Sequence, residues 1–227
     1  ITLAQPTVPV HRYDVFIPYS FEAGQDWQGF EGDMRMVMQD ARARKDVEIF
    51  TLGTGSDQPT GFVTALAAES GSVVTPTTAE TFAVADLYKV EESLGDRFLG
   101  NAAWQANRAI FNDVRQFDTT GGANLWERLG AGTPSELIGY PAYRNSAMDS
   151  GFNAAATANN YILAFGDWKA GFLIVERVGM NFEVVPHLFH TANNRPSGQR
   201  GFLAWGRNGS DVIVPEALRL LNVATAA

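Results

Sequence analysis

From His11 to Ser20 the chain alternates. Tyr13, Val15, Ile17 and Tyr19 fall on one side, Arg12 and Asp14 on the other. A period of two predicts a β-strand with one buried face. Pro18 lacks a backbone donor, which marks an edge or an end of that strand. From Phe30 to Phe50 the period lengthens. Phe30, Met34, Val37, Met38, Ala41 and Ala43 roughly follow a helical stripe, and Asp33, Arg35, Gln39, Asp40, Arg42 and Arg44 cover the other sides. An unbroken helix is predicted from about Gly29 to Phe50, with Asp26 capping its start. Gly32 is its weak point, costing about 1 kcal/mol relative to alanine. Such a helix is about 30 Å long, and its thin apolar stripe suits a strut laid across a domain.

Gly53 to Gly61 reads as a turn-rich loop closing the helix, with Gly53 or Gly55 supplying a left-handed residue. Phe62–Leu66 resembles a short strand, and Ser70–Thr81 a loop or domain crossover. Helices are predicted at Phe82–Leu94 and at Arg108–Phe117, the second with Ile110, Phe111 and Val114 inward. Ala102–Asn107 reads as a strand, Asp118–Asn124 as a turn, and Glu136–Tyr143 as a short strand broken at Pro141. Tyr161–Phe165, Ala170–Val178 and Phe182–Val185 are strand candidates, the last two divided at Gly179. Gly201–Arg207 and Val212–Val214 read as a hairpin around Asn208-Gly209. Ala217–Val223 ends the chain as a short strand or helix. Helices and strands mix without regular alternation, which argues for an α+β architecture.

Composition narrows the function classes. The 227 residues suffice for one large domain or two interleaved ones. The longest apolar runs are too short to cross a bilayer, so no membrane partner is expected. No cysteine is present, which removes disulfides and thiolate metal ligands. A formal charge of −8 does not supply the field for general nucleic-acid binding. Arg42, Arg44 and Lys45, and again Arg195, Arg200 and Arg207, cluster locally, and read as solvated faces or partners of neighbouring acids.

Catalytic constellations are not evident. Gly53-Thr54-Gly55 has a helix before it and Gln58 where a dinucleotide loop needs a third glycine. His187 and His190 follow Pro186 in a loop-like stretch without an acidic third ligand, and His11 has no partner at ligand spacing. No serine sits in a nucleophile elbow, and Glu91 and Glu92 point apart on their helix. Asn208-Gly209-Ser210 matches a glycan acceptor but reads as a turn. Catalytic, cofactor and metal residues are therefore all expected to be none, and no cofactor is expected. An unforeseen enzyme and a glycan-binding module remain as alternatives.

Several strings, in order, resemble the major capsid proteins of tailed bacteriophages, the Hong Kong 97-type capsid family. They are Tyr13–Ser20 leading into an acidic, Trp-containing segment and a long helix; Gly53-Thr54-Gly55 with Gln58-Pro59-Thr60-Gly61; and Ala103-Trp104-Gln105-Ala106-Asn107, then Gly121–Trp126 and Leu137-Ile138-Gly139-Tyr140-Pro141. Further on come Leu163-Ala164-Phe165-Gly166-Asp167-Trp168 with Glu176-Arg177, and last Arg200–Trp205 with Val212–Leu221. The resemblance implies a peripheral domain carrying the long spine helix, at Ile1–Gly71 and Arg200–Ala227, and an inserted axial domain at Ser72–Gln199. It implies that Tyr13–Ser20 lies beside Val212–Leu221 in a sheet and that Phe82–Val185 forms a compact unit.

The resemblance also implies a virion structural protein, of phage or prophage origin, that self-assembles into hexamers and pentamers of an icosahedral shell around double-stranded DNA. Assembly would occur in the bacterial cytoplasm. Partners would be copies of itself, with scaffold, portal and decoration proteins, and DNA held without sequence preference. Encapsulin-like nanocompartments, which share the fold, are the alternative. The family's N-terminal arm and extended loop precede the Tyr13–Ser20 strand; only Thr2–Val10 corresponds to the end of that loop. The 227 residues as given are thus expected to stay monomeric or weakly associated.

Overall fold

The computed structural model describes residues 7–117, 126–127, 136–153 and 157–225. The elements run β1 (His11–Ser20), α1 (Phe21–Asp26), α2 (Phe30–Leu52), α3 (Phe62–Ala68), β2 (Val73–Val74), α4 (Val84–Glu92), α5 (Asp96–Leu99), β3 (Ala103–Ala106), α6 (Arg108–Phe117), β4 (Trp126–Glu127), β5 (Glu136–Leu137), β6 (Tyr140–Arg144), β7 (Tyr161–Gly166), α7 (Trp168–Gly171), β8 (Phe172–Val185), β9 (Gln199–Val212) and β10 (Leu218–Asn222). The turn expected at Asp118–Asn124 and residues 2–6 of the Thr2–Val10 stretch lie outside the described residues.

β1 forms at its expected place, with alternate residues half-buried and the others exposed. It is the edge of a three-stranded antiparallel sheet ordered β1-β9-β8, which accommodates Pro18. α2 is unbroken and lies on that sheet, its Met34 and Met38 packing against Val15, Ile17, Tyr19, Met180, Phe182, Phe202 and Ala204. Its cap is not Asp26, which ends α1; Gly29 starts the helix in a left-handed conformation, φ 89°, without a side-chain cap. The buried stripe also differs. Phe30, Met34, Met38, Arg42 and Asp46 recur every fourth residue and turn inward, whereas Val37, Ala41 and Ala43 are exposed.

A second, seven-stranded sheet has the order β2-β10-β7-β3-β6-β5-β4. Its core is built around Trp104, fully buried and stacked on Phe165 at 4.0 Å, with Ile110, Phe111 and Val114 of α6 and Leu87 and Val90 of α4 packed in. The Trp104 Nε1–H donates to the Leu137 carbonyl at 3.0 Å, so the polar end of the ring is satisfied inside the core. The Phe165-Gly166-Asp167 string has a physical reason at each position. Phe165 fills the core. Gly166, at φ 148°, passes so close to Ala217 that a Cβ would stand 2.1 Å from its carbonyl oxygen. Asp167 caps α7 by accepting from the Lys169 and Ala170 amides.

Four local expectations are corrected. Phe62–Ala68 is a helix rather than a strand: Ala65, Ala67 and Ala68 are strong helix formers, and Phe62, Val63 and Leu66 share its buried face. The break in Glu136–Tyr143 falls at Ile138 and Gly139, φ 53° and 75°, the pair of positive angles of a tight hairpin turn, and not at Pro141. β8 runs through Gly179, with register shifts absorbing the irregularity. β9 runs through Asn208-Gly209, because Asn208 pairs with His11 of β1 and Glu176 of β8, and Gly209 pairs on with Val175 of β8. Gly209 serves close approach: a Cβ there would meet the Pro9 oxygen at 2.2 Å. Of the two glycines expected to supply a left-handed residue, Gly55 does so at φ 77°, while Gly53 is at −56°.

The long-range pairing also differs from expectation. Tyr13–Ser20 pairs with Gln199–Gly206 of β9 rather than with Val212–Leu221. β10 pairs instead with β7 and β2 in the larger sheet. β8, expected within a compact Phe82–Val185 unit, belongs to the three-stranded sheet.

Candidate assembly surfaces

The glycine-rich loop after α2 is a clasp. Thr54 bridges Thr60, and the Gln58 amide donates to Thr54 Oγ1 at 2.9 Å. The Ser210 hydroxyl donates to the Thr60 carbonyl at 2.8 Å, while the Thr60 amide donates to the Ser210 carbonyl at 3.1 Å. Gly53 and Gly61 lie too close to backbone for any side chain: Cβ atoms there would meet Pro59 O at 2.2 Å and Gly53 N at 2.5 Å. The loop thus fastens the end of α2 to β9 and leaves no phosphate cradle. Asn208 and Ser210 are buried and hydrogen-bonded within the fold, so the acceptor-like triplet is structural.

Arg42 straps α2 to the sheet beneath. Its guanidinium donates to Asp46 Oδ2 at 3.1 Å and to Glu176 Oε1 of β8 at 2.6 Å, and lies 4.7 Å over the Tyr13 ring of β1. Asn208 of β9 donates to Asp46 Oδ1 at 3.3 Å. Burial raises the Asp46 carboxyl above its ordinary value, against the opposing pull of Arg42. Burial likewise raises the Tyr13 hydroxyl. By contrast, Arg44 and Lys45 make exposed pairs with Asp40 and Glu48, of a kind that contributes about 0–1 kcal/mol each.

The three histidines are not brought together. His11 pairs with Asn208 at the start of β1, whereas the His187 ring meets Phe21, just beyond its end, edge-on at 6.4 Å. The His190 amide donates to the Arg195 carbonyl in a loop. Among the described residues no cluster of histidine and carboxylate groups stands ready for a metal. Burial raises the Tyr140 hydroxyl, helped by the negative charge of Glu91 beside it, and Glu92 is exposed.

Among the described residues, two open surfaces stand out. A cleft of about 530 Å³ separates Val47, Phe50 and Thr51 of α2 from Tyr143 of β6 and Ile174 of β8, and the Asn145 amide spans it to Thr51 Oγ1 at 2.9 Å. On the three-stranded sheet, the side opposite α2 carries Arg12, Asp14 and Phe16 of β1 in register with Arg207, Trp205 and Leu203 of β9. There an open groove of about 500 Å³ is lined by Arg12, Glu183, Leu203, Trp205 and Arg207. Sequence reasoning grouped Arg207 with Arg195 and Arg200, whereas the structure pairs it with Arg12. Only strand register reveals that neighbour. Arg200 instead lies over the Phe21 ring at 5.1 Å.

The model of the phage capsid family matches residues 1–223, and the chain belongs to that family. Among solved structures, the capsid of an empty GTA particle is similar at 27% identity and TM-score 0.81, over 99% of this chain and 79% of that one. The capsid of a native GTA particle is similar at 28% identity and TM-score 0.79, over 96% and 74%. The holo-SrpI encapsulin complex from Synechococcus elongatus shares the fold at 10% identity and TM-score 0.69, over 95% and 74%. A search of curated proteins found no match. The mixed helix and sheet fold is the Hong Kong 97-like capsid fold. The chain is a structural, non-enzymatic major capsid protein that forms shells with copies of itself and resides in the virion capsid.

Proposed function

We propose that this capsid protein assembles into hexamers and pentamers of an icosahedral shell enclosing double-stranded DNA, in the cytoplasm of a bacterial host. The likeness to GTA capsids above 25% identity, over nearly the whole chain, supports this reading most strongly. The net charge of −8 suits a container that holds DNA without gripping it. Scaffold, portal and decoration proteins are its expected further partners. The encapsulin reading rests on a likeness in fold at 10% identity.

In this proposal residues 1–71 and 200–227 form a peripheral domain and 72–199 an axial domain. Strand pairing modifies the division: β8 packs with the peripheral sheet and β10 with the axial one. The two would then be knitted together by exchanged strands rather than joined at a hinge.

Particles purified after expression of the complete reading frame with its neighbouring genes, then treated with nuclease, test the cargo. Protected double-stranded DNA is expected. Protected enzyme without DNA would overturn the reading in favour of a nanocompartment.

A further inference from the structure

The open side of the three-stranded sheet has the composition of an interface core. Arg12 and Arg207 face each other directly across strands, and like charges so placed are destabilising. Glu183, the carboxylate lining the same groove, accepts from the Trp205 indole at 3.1 Å. Asp14 is exposed on the same side. Neither carboxylate comes within ion-pair distance of either guanidinium. Phe16 lies over Gly201 and is still 45% exposed. Tryptophan and arginine are the residues that most often dominate binding energy at protein interfaces, and a guanidinium pairs two-pronged with a carboxylate.

A complement lies elsewhere on the same chain. The elbow from α1 into α2 carries Glu22, Asp26, Glu31 and Asp33, all exposed and none in an ion pair among the described residues. At its tip Trp27 is 49% exposed, and the left-handed Gly29 turns the chain there. This elbow cannot reach the groove of its own copy. It starts where β1 ends, and Arg12 lies at the other end of that strand, about 26 Å away.

We infer that the Arg12–Arg207 groove receives the acidic Trp27 elbow of a second copy. The carboxylates meet the paired guanidiniums, and the indole covers Phe16, Leu203 and Trp205. The two patches differ, so the contact is head-to-tail, the type that closes into rings when the rotation permits. This inference rests on the proposed shell function and assigns the partner of one face.

These 227 residues contain no cysteine, so a pair introduced as Gln28→Cys and Leu203→Cys reports the contact, with the unaltered protein run beside it as the background. Oxidised particles of the complete protein should lose the monomer band on a denaturing gel and show a ladder of covalent oligomers. Each single variant should stay monomeric on the same gel. Arg12→Glu with Arg207→Glu should prevent particle formation, and adding Asp26→Arg with Glu31→Arg should restore it, which also shows that the reversed chain folds. Particles that form normally but give no ladder would overturn the inference while leaving the shell function intact. Arg12→Glu/Arg207→Glu particles that assemble but lose their nucleic acid would overturn it too, assigning the groove to phosphate.

Discussion

Arg42 Nη2 donates a 2.6 Å hydrogen bond to Glu176 Oε1, joining the middle of α2 to β8 across most of the chain's length. The same guanidinium holds Asp46 and covers Tyr13, so one side chain touches the helix and two of the three strands. Around it the helix buries few apolar residues: Phe30 and Met38 are the only apolar side chains of α2 that are fully inside. Polar contacts therefore carry an unusual share of the helix's attachment.

Arg42→Ala should lower stability by about 1–2 kcal/mol, because it strands a partly buried Asp46 without its cation. Glu176→Gln should cost less than about 1 kcal/mol, since that carboxylate is half exposed. Denaturant titration of the isolated chain measures both. An Arg42→Ala midpoint equal to that of the unaltered protein would contradict the strap.

Asp46 gives the strap a pH signature. Its carboxyl is raised above the ordinary value by burial, despite Arg42, so the fold favours the neutral form and ionisation costs stability. That cost is absent below the ordinary carboxylate value and complete once pH has passed the raised one. Asp46→Asn removes the titration but keeps an acceptor for only one of the two donors, Arg42 on Oδ2 or Asn208 on Oδ1, and sets an amide NH2 against the other. That mismatch is a pH-independent cost, so relative to the unaltered protein the variant should gain stability as pH rises through the carboxylate range. Paired thermal melts across that range read the difference, and a variant that loses stability relative to the unaltered protein as pH rises would contradict it.

Two glycines should respond in opposite directions to alanine. At Gly166 the added methyl meets the Ala217 carbonyl at 2.1 Å with φ at 148°, so Gly166→Ala should cost about 3 kcal/mol or more. At Gly32, in the first turn of α2, nothing lies within 4 Å, so Gly32→Ala should stabilise by about 0.5–1 kcal/mol. Thermal unfolding of the two variants side by side separates a glycine demanded by packing from one that merely weakens a helix.

The elements legible in the sequence were those whose periodicity was set by one buried face. β1 and α6 appear at their expected places, with Ile110, Phe111 and Val114 inward, and α2 differs at its end by two residues, reaching Leu52 rather than Phe50. Errors came where tertiary contacts override local signals. Asn208-Gly209 carries the strongest short turn signal yet lies mid-strand, because Asn208 is paired on both sides, Gly209 is paired with Val175 of β8, and Gly209 admits Pro9. The stripe of α2 was misread because its second half is charged: Arg42 and Asp46 continue the phase of Met34 and Met38, and only Glu176 and Asn208, distant in sequence, make that burial tolerable. The Arg12–Arg207 face was invisible for the same reason, since a register relation between residues so far apart leaves no local trace. The ordered strings Gln58-Pro59-Thr60-Gly61 and Phe165-Gly166-Asp167 were informative because close backbone approaches and a helix cap fix each residue type.

Cryo-electron microscopy of particles assembled by the complete protein tests the shell assignment most directly. Uniform closed shells are predicted, with α2 and the β1-β9-β8 sheet fitting every subunit and with hexamers and pentamers as building blocks. A protein that folds, stays monomeric under every packaging condition and turns over a substrate would contradict it.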